Sequence, residues 1–243
     1  MKKHIALFGT TLLLGSLLGG TGVFATENNP EPSSAETRVT GQLELSDQGG
    51  YNPNPPSSSL NDKTGISTSY FGIAYKPTTF NIGEEINLAD TNTEQNIVMQ
   101  NQTSSDKFHV AVKDKRRSTS NKWTLNAKLS NPIDQADLGI SIKTGTQADS
   151  VKRNINNGSD EFSPGHLINQ VMKDGSSKEV TTDGNLIITT IDSNVMKTVD
   201  GKFVNGVYDL ELPQVELHIP DASKVKAQNL STTVTWTLTN AAE

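Results

Sequence analysis

The strongest constraint on the fold is a pattern that recurs along most of the chain: short runs of β-branched or aromatic residues, bounded by Gly, Asn, Asp, Pro or Ser. Residues 108–113 are the clearest case. Phe108, Val110 and Val112 alternate with His109, Ala111 and Lys113, a period of two that belongs to a strand with one buried and one wet face. The runs 70–75, 122–129, 138–143, 186–191, 207–212, 215–219 and 231–238 read the same way. Residues 37–45 add a further candidate, with Val39, Leu43 and Leu45 on one face. The only helical hint is 163–172, worth a turn or two. Abundant Ser, Thr and Asn suit half-exposed antiparallel sheets. The expectation is an all-β, antiparallel β-sandwich-like single domain with long loops.

Cysteine is absent. The core must therefore hold the fold without disulfides, and thiol catalysis, iron–sulfur clusters and thiolate zinc sites are excluded. At the N-terminus Lys2 and Lys3 precede an apolar stretch from Ile5 to Leu18, then Gly19, Gly20 and Gly22, then Val23-Phe24-Ala25. This is the pattern of a secretory signal peptide, residues 1–25, cut after Ala25; the stretch is short for a bilayer span of ~20 residues. No membrane insertion is expected after cleavage. About 218 residues remain, enough for one all-β domain. Residues 26–38 read as a flexible leader, and 39–242 as the domain. Within it, 46–62 is rich in Pro, Ser and Asn and reads as a mobile or polyproline-like loop.

The net charge is −6, and about −8 once the signal is removed. An acidic surface argues against nucleic acid, whose phosphates require a basic patch, and against simple electrostatic adhesion to anionic polymers. The basic run Lys113, Lys115, Arg116 and Arg117 reads as a solvated hairpin tip. His109, His166 and His218 are far apart, without ligand-like spacing, so no metal or other cofactor is expected. His109 and His218 should lie on wet strand faces. Asp183-Gly184-Asn185 and Asp200-Gly201 read as turns rather than calcium loops. No nucleophile elbow, phosphate loop or dinucleotide fingerprint is present, so no catalytic residue is proposed and the chain is not expected to be an enzyme.

The two tryptophans share a context. Trp123 begins Trp123-Thr124-Leu125 and Trp236 begins Trp236-Thr237-Leu238. On a strand, residues i and i+2 point the same way, so Trp123 shares a face with Leu125, and Trp236 with Leu238. The two faces could stack in one core or lie side by side. Each indole has two readings: a core anchor burying roughly 150–250 Å², which residue type favours, or an aromatic contact for sugar rings or a partner's groove.

Two Trp-x-Leu motifs, one in mid-domain and one close to the C-terminus, resemble the WxL family of cell-wall-binding surface proteins. The flanks agree: Val110-Ala111-Val112-Lys113-Asp114-Lys115-Arg116 before the first motif, and Leu217-His218-Ile219-Pro220 followed by Thr233-Val234-Thr235 before the second. Leu230 stands where the family often has tyrosine, and Ala241-Ala242 where it often has Ala-Pro. The resemblance spans 39–242. It implies a protein secreted and retained non-covalently at the Gram-positive cell wall, with peptidoglycan as ligand and other WxL proteins and a membrane-anchored companion as partners. The alternative is an adhesin or surface-complex subunit whose motifs contact companion proteins or host matrix. The chain ends Asn240-Ala241-Ala242-Glu243 without a sorting sequence, in keeping with non-covalent retention.

Overall fold

The computed structural model describes residues 32–42, 50–66, 69–89, 93–116, 121–170, 178–199 and 205–240. The signal segment 1–25, residues 26–31 of the leader and the Asp200-Gly201 turn lie outside them. By its internal contacts the chain divides into residues 1–44 and 45–243. In the first unit, 32–42 are exposed and carry no regular secondary structure, and Val39 is almost fully exposed. The strand expected over 37–45 is thus not formed across its described part: an alternating pattern makes a strand only where a neighbour completes the hydrogen bonds.

Among the described residues the second unit holds fourteen strands: β1 (Asn61–Lys63), β2 (Phe71–Pro77), β3 (Gln95–Val98), β4 (Phe108–Asp114), β5 (Trp123–Leu129), β6 (Ser141–Thr144), β7 (Lys152–Asn154), β8 (Leu167–Ile168), β9 (Val180–Thr181), β10 (Ile187–Ile188), β11 (Ser193–Thr198), β12 (Gly206–Leu212), β13 (Val215–Ile219) and β14 (Val234–Asn240). The described part of the helical hint, 163–170, holds a single 3-10 turn, Pro164–His166, and a second such turn spans Ala222–Lys224. All pairings are antiparallel. They build a six-stranded sheet (β1-β2-β4-β12-β7-β8) and two four-stranded sheets (β10-β6-β13-β3 and β14-β5-β11-β9). The fold is all-β and sandwich-like, as expected.

One apolar core serves all three sheets. Phe108, Val110, Val112, Leu210 and Leu212 reach it from the first sheet, Ile142, Leu217 and Ile219 from the second, and Trp123, Leu125, Ala127 and Leu129 from the third. Asp183-Gly184-Asn185 is a turn, as its composition predicts. Gly184 and Asn185 both have positive φ (79° and 45°), and a Cβ on Gly184 would lie 2.6 Å from the Ala148 backbone nitrogen.

The largest departure from expectation is β4, buried along its whole length. His109 and Lys113 are not on a wet face; they are 3% and 0% exposed. The reason is the Pro/Asn-rich stretch that reads as a mobile or polyproline-like loop. Its described residues, 50–62, form no strand before Asn61, yet Asn52, Pro53, Pro55 and Pro56 are buried. Its asparagines supply the hydrogen bonds the covered backbone requires. Asn52 Nδ2 donates to the Ala74 carbonyl (3.1 Å), the His109 amide donates to Asn61 Oδ1 (2.7 Å), and Asn61 Nδ2 donates to the Lys107 carbonyl (2.9 Å). His218 lies half-buried beside Asn96 Oδ1 at 3.0 Å.

Candidate functional site

The two Trp-Thr-Leu segments occupy β5 and β14, which are neighbouring antiparallel strands. Their register runs without a slip: Trp123 opposite Asn240, Leu125 opposite Leu238, Ala127 opposite Trp236 and Leu129 opposite Val234. All four motif side chains, Trp123, Leu125, Trp236 and Leu238, therefore project to one face of one sheet. The shared face follows from strand periodicity; the side-by-side arrangement comes from the sheet.

The two tryptophans are not equivalent. β5 has β14 on one side and β11 on the other, and its inward row of Trp123, Leu125, Ala127 and Leu129 is buried. Trp123 is 1% exposed, its ring centroid 6.3 Å from that of Tyr208, and its indole N–H has no acceptor among the described residues. β14 is at the sheet edge, so Val234, Trp236 and Leu238 pack on the core yet remain half-exposed, while Thr235, Thr237 and Thr239 face solvent.

Val234 and Trp236 form one wall of a cleft of about 1100 Å³. Its floor is apolar, with Ile97, Ile140, Ile142, Leu217 and Ile219. Segments 76–88 and 222–233 border it and carry most of its polar groups: Asn81, Asn87, Gln228, Asn229, Ser231 and Thr232, with the charges of Lys76, Glu84 and Lys226. Phe80 fixes the first segment by an edge-on contact with Phe108, centroids 5.0 Å apart. An apolar floor with a rim mostly of amides and hydroxyls suits a ligand that offers both apolar faces and hydrogen-bonding groups.

Of the basic run, Lys113, Lys115 and Arg116 are not solvated but packed and bonded. Arg116 grips Asp114 with two nitrogens (Nε to Oδ1 3.0 Å, Nη2 to Oδ2 2.9 Å), donates through Nη1 to Asn240 Oδ1 at 2.9 Å, and lies 3.8 Å from the centre of the Phe71 ring. It thereby ties the end of β4 to the end of β14. Lys113 Nζ donates to the Gly50 carbonyl (2.9 Å), and Lys115 Nζ sits 4.0 Å over the Tyr51 ring. Burial lowers the pKa of both lysines, and Lys113 and Arg153 lower that of Lys115 further. Arg117 lies outside the described residues.

A buried polar chain that sequence reading missed crosses the six-stranded sheet. His109 Nδ1 lies 3.0 Å from Asp209 Oδ1, Tyr75 Oη donates to Asp209 Oδ2 (2.7 Å), and Asn154 Nδ2 donates to Tyr75 Oη (3.1 Å). Burial acts to lower the His109 pKa, but the Asp209 carboxylate outweighs it and the net shift is upward. Burial, then Asp209, raises the Tyr75 phenol well above its ordinary value. All four residues are at most 3% exposed, so no substrate reaches them. Among the described residues no three His, Asp or Glu side chains gather into a metal-like group. Nor, among them, is any helix long and apolar enough to cross a membrane.

Fold and site together define an all-β domain built around two paired Trp-Thr-Leu strands with an open cleft beside the second. The family model described as "WxL domain surface cell wall-binding" matches residues 30–241, and the chain belongs to that family. No curated protein and no solved structure gives a significant match.

Proposed function

We propose that this protein is exported by its N-terminal segment and held non-covalently at a Gram-positive cell wall, with peptidoglycan as the ligand. Membership of a surface cell-wall-binding family supports wall association. Within that reading the two motifs divide their labour: Trp123 and Leu125 build the domain, and Trp236 meets the ligand. The observation that carries this is the contrast between the tryptophans. Trp123 is sealed in the core, whereas Trp236 is half-exposed on the wall of the cleft. An indole so placed offers a flat apolar face to a sugar ring or acetamido group, and the amides and hydroxyls of the rim offer hydrogen bonds to its polar edges. The role is binding rather than catalysis. Co-sedimentation with purified sacculi, stripped of protein and of anionic wall polymer, tests it. The protein should pellet with the sacculi at both low and high salt; a protein left in the supernatant contradicts peptidoglycan as the ligand.

A further inference from the structure

The three sheets have six edges among the described residues, and five are short. Among the described residues β1 and β3 run three and four residues, and β8, β9 and β10 two each. The sixth edge is β14, at seven residues. Soluble proteins protect exposed edges by keeping them short, or by placing lysine, proline or a bulge on them. β14 has none of these: Val-Thr-Trp-Thr-Leu-Thr-Asn carries no charge and no proline, and its register with β5 is continuous.

The phase of the strand says which groups are free. The Ser130 amide donates to the Thr233 carbonyl at 2.8 Å, one step before Val234 pairs with Leu129. In an antiparallel pair hydrogen-bonded positions alternate, so Thr235, Thr237 and Thr239 bond to β5. The N–H and C=O groups of Val234, Trp236 and Leu238 point out of the sheet. These are the residues whose side chains are only half-buried, two of them on the cleft wall. The outward backbone and the unfinished apolar row belong to the same three residues.

We infer that the outward edge of β14, with which no strand among the described residues pairs, is a docking site for a strand: an extended segment of a partner polypeptide, about seven residues long, with apolar side chains at alternate positions. The row of outward hydrogen-bonding groups selects a polypeptide, because only a backbone repeats N–H and C=O at the strand spacing. The half-exposed row selects the alternation. A residue paired opposite Trp236 or Leu238 puts its side chain on the same face, where it continues the sheet's apolar surface beside the cleft. The motif would then be read twice, the side chain of Trp236 from within the cleft and its backbone from the edge.

Fluorescence anisotropy with the full-length protein and a labelled synthetic peptide, Thr-Val-Thr-Ile-Thr-Val-Thr flanked by lysines, tests this. The peptide should bind. N-methylation of its three apolar residues, whose amides would face β14, should weaken binding at least tenfold, and N-methylation of its threonines should not. Val234→Pro removes one outward donor at the first residue of an edge strand, where proline is tolerated; it should weaken binding at least threefold with the fold, checked by circular dichroism, retained. Absence of binding, or equal binding of both methylated peptides, overturns the proposal. So does a dimer by light scattering that Val234→Pro dissociates, since the occupant would then be a second copy. The assay contains no peptidoglycan, so its outcome is independent of wall binding.

Discussion

Leu125 and Leu238, the third residues of the two Trp-Thr-Leu segments, sit directly opposite each other on neighbouring antiparallel strands. The repeated motif is a cross-strand pair, 113 residues apart in sequence, so the second motif completes the sheet that the first begins. A double-mutant cycle of Leu125→Ala and Leu238→Ala should show a coupling of about 0.5–1 kcal/mol by urea denaturation. Strict additivity would mean that the two motifs do not meet.

The two tryptophans should differ in what they contribute to stability. Trp123→Ala empties a buried site and should cost about 3–5 kcal/mol. Trp236→Ala removes a half-exposed ring and should cost about half that. Trp123→Phe should be milder than Trp123→Ala, because it keeps an aromatic ring and removes an indole N–H that has no acceptor among the described residues. Equal losses for the two alanine variants would contradict the division between core and cleft.

Amide exchange reads the phase of β14. Thr235, Thr237 and Thr239 should be protected, whereas Trp236 and Leu238 should exchange at least tenfold faster, since their amides point away from β5. Uniform protection along the strand in the isolated protein would show that the edge is already covered.

The His109–Asp209 pair makes stability depend on pH. The folded-state pKa of His109 is raised above its unfolded value by the carboxylate. Its contribution is therefore fully present below about pH 6.5, the unfolded value, and is lost as pH rises through the folded pKa. Urea denaturation across this range should show the wild type losing stability toward the alkaline side relative to His109→Gln. A constant difference between the two proteins would contradict the pairing.

Much of the fold was legible in the residues. β2, β4, β5, β12, β13 and β14 carry the apolar alternation that identifies strands. β7, which is Lys152-Arg153-Asn154, and β3, which is Gln95-Asn96-Ile97-Val98, carry almost none; long-range pairing makes them strands. The burial of His109 and Lys113 was hidden for a related reason. It comes from a layer of Pro and Asn residues some fifty positions earlier, whose side chains satisfy backbone groups that a composition reading leaves to solvent. The two Trp-Thr-Leu segments could be read from the sequence, but not the difference in burial between Trp123 and Trp236. That difference is set by the place of each strand in the sheet, central for β5 and edge for β14, and local sequence does not encode sheet order.

Whether Trp236 meets the wall while Trp123 supports the domain is decided by co-sedimentation of variants with purified sacculi. Trp236→Ala, folded by circular dichroism, should bind at least tenfold more weakly than wild type, whereas folded Trp123→Phe should bind as wild type does. Full binding by Trp236→Ala would contradict the wall contact of Trp236.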